Sequence, residues 1–89
     1  MLRQGIQPQE IQAAKQQIET RLADVRDTVT LAHKFVYLLS VCGVENVNAY
    51  LVGFKEIYGG YPYYQGVKNS IMHEVESIGI NPYHAESCL

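Results

Sequence analysis

At 89 residues, 47% hydrophobic, 18% charged and with a net charge of −2, the chain has room for one domain and is too apolar to stay unfolded. The slight acidity argues against binding to nucleic-acid phosphates and against docking on an anionic membrane. Two cysteines, Cys42 and Cys88, are too few for a disulfide framework and lack CxxC spacing, so a reduced, cytoplasmic setting is expected.

No segment reads as a targeting or membrane signal. Met1 to Gln9 is mostly polar, without the apolar run of a leader peptide. The most apolar window, Val29 to Val44, contains His33 and Lys34 and falls short of the ~20 residues that a spanning helix needs.

The chain reads as all-α, with a long first helix. Pro8 suits a first helical position, where its missing N–H costs nothing, and Glu10 follows near the positive end of the helix dipole. Apolar residues then recur seven apart at Ile11, Ile18, Val25, Ala32 and Leu39, alternating with Lys15, Leu22, Val29 and Val36 four further on. No proline or glycine interrupts this pattern before Gly43, so it predicts one helix over about 8–42. Up to Asp27 the stripe is narrow and flanked by glutamines and mixed charge. From Thr28 the helix is apolar nearly all round, with Leu31, Phe35, Tyr37, Leu38 and Val41 added. Residues 8–27 therefore read as a coiled-coil-like arm, 28–80 as a globular core and 81–89 as a tail.

Gly43 ends that helix. A second is expected over about 46–58, capped by Asn46 or Asn48, with Val47, Tyr50, Leu51, Phe54, Ile57 and Tyr58 at helical spacing. Ala49 to Phe54 would also suit a strand, but no second strand offers itself for pairing. Pro62 opens a third helix over about 62–78, with Tyr64, Val67, Ile71, Val75 and Ile78 inward. Gly79 stops it, and Asn81-Pro82 suits the start of a last short turn.

Length then suggests association. A helix over 8–42 would be roughly 50 Å long at 1.5 Å per residue, about twice the reach of either later helix. Its uncovered part would carry a seam of Ile11, Lys15, Ile18, Leu22 and Val25. Either the helix breaks near Asp27-Thr28 and folds back, or the arm pairs with another chain. The unbroken heptad register favours a homodimer, with Lys15 fixing register in the seam.

Candidate sites are few. Tyr58, Tyr61, Tyr63, Tyr64 and Gln65 lie among Gly59, Gly60, Pro62 and Gly66, a mixture suited to partner contact or to stacking on a nucleotide-like ligand. The simpler reading makes these tyrosines a cap on the open end of the bundle. The glycines match no phosphate-loop pattern. His84 and Cys88 are four apart, with His73 and Glu86 near, but the set lacks paired ligand spacing and no metal or cofactor is expected. His33 has no acid at i±3 or i±4, and Cys42 has no local base. Lys68, Asn69 and Ser70 are followed by Glu74 and Glu76, a poor face for reading DNA. The sequence thus points to a small non-enzymatic interaction module (regulator, adaptor or inhibitor) acting as a homodimer on a protein partner. The alternative is a small-ligand binder using residues 58–66.

Overall fold

The computed structural model describes residues 7–89; the polar start at Met1 to Gln9 lies mostly outside that range. The described chain is all-α: α1 Pro8–Leu22, α2 Thr28–Val41, α3 Val47–Tyr58, α4 Tyr64–Val75 and α5 Pro82–Cys88, with single 3-10 turns at Val44–Asn46 and Glu76–Ile78. α1 packs chiefly on α3 and α2 on α4, while α5 closes against α4 and α3.

The expected first helix is two helices. Pro8 does open α1, and the amides of Glu10 and Ile11 both donate to the Gln7 carbonyl. The helix stops at Leu22, and Asp27 in extended backbone restarts the chain by accepting the Thr30 amide at 2.9 Å. The local reason is composition: Asp24, Val25, Asp27, Thr28, Val29 and Thr30 are all poor interior helix formers, and aspartate is a strong N-cap. The tertiary reason is stronger. Folding back buries Ala14, Ile18 and Leu22, each of which an extended arm would leave to water. A heptad count sees apolar spacing and is blind to a cap that falls within it.

The Asp27 cap makes a pH-dependent contribution. Its carboxyl is held below the usual carboxylate range, first by the Thr30 backbone amide and then by the Thr30 side chain. A depressed folded pKa means stability that is present above about pH 4 and lost as pH falls through the lower value. Asp27→Ala is expected to lower the melting temperature by several degrees at neutral pH. Asp27→Asn should keep most of the cap while removing this acid-limb dependence, as read by thermal melts followed by circular dichroism across that range.

α2 buries Leu31, Ala32, Phe35, Val36, Leu38 and Leu39. It ends where expected, with Gly43 at φ 93°, a conformation that side chains resist. Asn46 occupies the position before α3, but its side chain makes no cap there. Its Nδ2 instead donates to the Cys42 carbonyl at 2.7 Å, tying the end of α2 to the start of α3. Residues 49–54 are helical, burying Ala49, Leu51, Val52, Gly53 and Phe54.

α4 begins at Tyr64 rather than Pro62, which sits in the preceding turn, and buries Val67, Ile71 and Val75. Gly79 at φ 86° closes it as the Ile80 amide reaches back to the Val75 carbonyl at 3.0 Å. The segment read as a tail is docked. Asn81 Oδ1 accepts the Tyr83 amide at 2.9 Å to start α5, and Ala85 and Leu89 are buried in the core. The core itself centres on Phe35 and Phe54, stacked with ring centroids 4.1 Å apart, and it joins the α1–α3 and α2–α4 pairs.

Candidate interaction surface

Part of the expected dimer seam is buried within the chain. Ile18 and Leu22 are buried in the common core, Val25 packs against its edge and Ile11 is half-buried. Lys15 lies across Gly53: a methyl group on Gly53 would stand 3.1 Å from Lys15 Cγ and 3.5 Å from its backbone nitrogen. The absent side chain lets α1 and α3 approach closely, and the Lys15 ammonium reaches past to Glu56 Oε1 at 3.2 Å. The cation that seemed to mark an intermolecular register thus has a partner within the fold. Half-exposed and on the surface, the pair adds little stability.

The tyrosine segment divides in two. Tyr58 lies tilted against Phe54 with ring centroids 4.7 Å apart, and Tyr64 lies against the core with its hydroxyl donating to the Leu89 carbonyl at 3.0 Å. Burial pushes the Tyr64 phenol up to about 12 and also raises that of Tyr58. These two cap the bundle. Tyr61 meets Tyr58 edge to face with centroids 5.9 Å apart and is exposed, as are Tyr63 and Gln65, whose amide donates to Asn69 Oδ1 at 3.2 Å.

His33, His73 and His84 are all exposed: His33 Nδ1 lies 3.2 Å from Glu74 Oε1, and His84 is hydrogen-bonded to Asn48. Cys88 packs against the core edge, and the Cys42 thiol, raised by burial, faces the Leu39 and Gly43 carbonyls. Among the described residues no three His, Cys, Asp or Glu side chains gather where they could hold a metal ion, and no helix is long and apolar enough to cross a membrane.

The surface that sequence reasoning missed is the outward face of α2. Val29, Tyr37 and Val41 on α2, and Val44 just beyond it, are 67, 61, 59 and 88% exposed, although the first three were expected in the seam or the core. At helical spacing they share a side with His33, Lys34 and Ser40. Those polar residues were the available signal: they mark a solvent face, and the apolar residues between them therefore face solvent too. Beside this face runs a groove between α1 and α2 of about 300 Å³, lined by Arg21, Leu22, His33, Lys34, Tyr37 and Leu38. Leu22 and Leu38 are nearly inaccessible and form its floor, while Arg21 and Lys34 stand exposed on opposite helices.

Comparison with known proteins returns no matching family, no matching curated protein and no matching solved structure.

Proposed function

We propose that the chain is a small protein-interaction module, a regulator, adaptor or inhibitor, whose working surface is the outward face of α2. The observation that carries this is the row Val29, Tyr37, Val41 and Val44, apolar yet open to solvent on a helix whose opposite side is buried. Exposed apolar groups concentrated on one element mark contact surfaces, and a central tyrosine is a common anchor for them.

Self-pairing gains less from the α1 seam, because the chain buries its Ile18 and Leu22 in its own core. A different protein is the better occupant. The nucleotide-like reading draws less support, because Tyr58 and Tyr64 turn inward and the Tyr58–Tyr61 pair meets at 90° rather than as parallel rings.

Affinity capture from the native host tests this. Partners held by the unaltered chain should be lost from a Tyr37→Glu, Val41→Glu double variant and retained by Tyr61→Ala, Tyr63→Ala. Both pairs are exposed, so circular dichroism should show each variant folded. The reverse pattern would move the working surface to the tyrosine turn.

A further inference from the structure

We propose that the α1–α2 groove receives an acidic, apolar-containing segment of a partner protein, its carboxylates between Arg21 and Lys34 and one large apolar side chain against Tyr37 above Leu22 and Leu38. This rests on reading the α2 face as an interaction surface and adds the chemistry of the occupant.

Charge complementarity singles out that occupant. The chain is acidic overall, with nine acidic and seven basic residues, yet the groove is lined by arginine, lysine and histidine and by no acid. The nearest carboxylate in the hydrogen-bond pattern, Glu74, reaches His33 from α4, leaving Arg21 and Lys34 as the groove's cations. Arg21 stands in the last turn of α1, where a cation also complements the helix dipole. Cations alone would attract any polyanion. The apolar lining decides between them: Tyr37, 61% exposed, stands as a wall above the nearly buried Leu22 and Leu38. A phosphate backbone has nothing to place against that wall, whereas an amphipathic peptide has both halves of the match. The volume suits one or two side chains, not a folded ligand.

The test is fluorescence anisotropy with the full chain and three labelled peptides of one leucine-bearing sequence, carrying glutamate, glutamine or lysine at its polar positions. The glutamate peptide should bind about tenfold more tightly than the glutamine peptide, weaken as salt rises, and lose that advantage in Arg21→Gln, Lys34→Gln. Tyr37→Glu should weaken both the glutamate and glutamine peptides. Equal affinity for those two peptides overturns the acidic assignment while leaving the α2 docking surface standing. Binding of none of the peptides overturns the assignment as well, and if the capture pattern is also unmoved by Tyr37→Glu, Val41→Glu, the docking reading falls with it. A single-stranded oligonucleotide that displaces the glutamate peptide at lower concentration than unlabelled peptide would assign the groove to nucleic acid instead.

Discussion

Phe54→Ala is expected to destabilise the chain by about 3–5 kcal/mol, out of roughly 4–13 kcal/mol for a domain of this length. The side chain is fully buried and touches three aromatic rings: Phe35 at 4.1 Å, Tyr58 at 4.7 Å and Tyr64 at 6.2 Å between centroids. Those rings come from α2, α3 and α4, so the cavity would open where the two helix pairs meet, and rigid neighbours collapse poorly into such a space. Urea unfolding should show a large fall in the midpoint with an unchanged slope. A loss below about 1 kcal/mol would mean that the centre of the core lies elsewhere.

Substitutions at Gly53 should have opposite characters. Gly53→Ala removes about 1 kcal/mol of helix penalty, and the new methyl group would press mainly on the flexible Lys15 stem, so little net change is expected. Gly53→Leu is expected to cost on the order of 3 kcal/mol, because the longer side chain must push against the α1 backbone and Ala14 Cβ as well. The larger residue should prise α1 from α3 and expose Ile18. Thermal melts of the two variants, with hydrogen exchange in α1, separate the effects. If Gly53→Leu is as mild as Gly53→Ala, α1 does not pack on that face.

The helices were legible in the sequence wherever local chemistry and periodicity agree. Pro8, Gly43, Gly79 and Asn81-Pro82 punctuate the chain as their backbone preferences require, and Val67, Ile71 and Val75 form the expected inner stripe. Legibility failed where one signal masked another. The heptad pattern runs through the Asp27 cap because Val25 and Val29 happen to keep register, yet Val25 is half-buried and Val29 lies in water. Once the chain reverses there, the arm covers α3 and buries Ile18 and Leu22 within the chain. The same reversal explains why the surface proposed for interaction was hidden. An apolar helix read as the middle of a core draws attention away from the polar His33, Lys34 and Ser40 on it, and the packing of α4 and α1 against α2 leaves Tyr37, Val41 and Val44 to solvent. The tyrosine segment was legible only in part: composition groups five residues, of which Tyr58 and Tyr64 turn inward while Tyr61, Tyr63 and Gln65 stay exposed.

Small-angle X-ray scattering on the chain at micromolar concentration tests the folded-back first helix most directly. The described residues fill 32 × 24 × 23 Å with a Cα radius of gyration of 11.8 Å. The predicted result is a monomer mass, a radius of gyration slightly above that value and a compact distance distribution. A dimer mass with a longest dimension of about 50 Å or more would instead describe a continuous helix reaching out to a second chain.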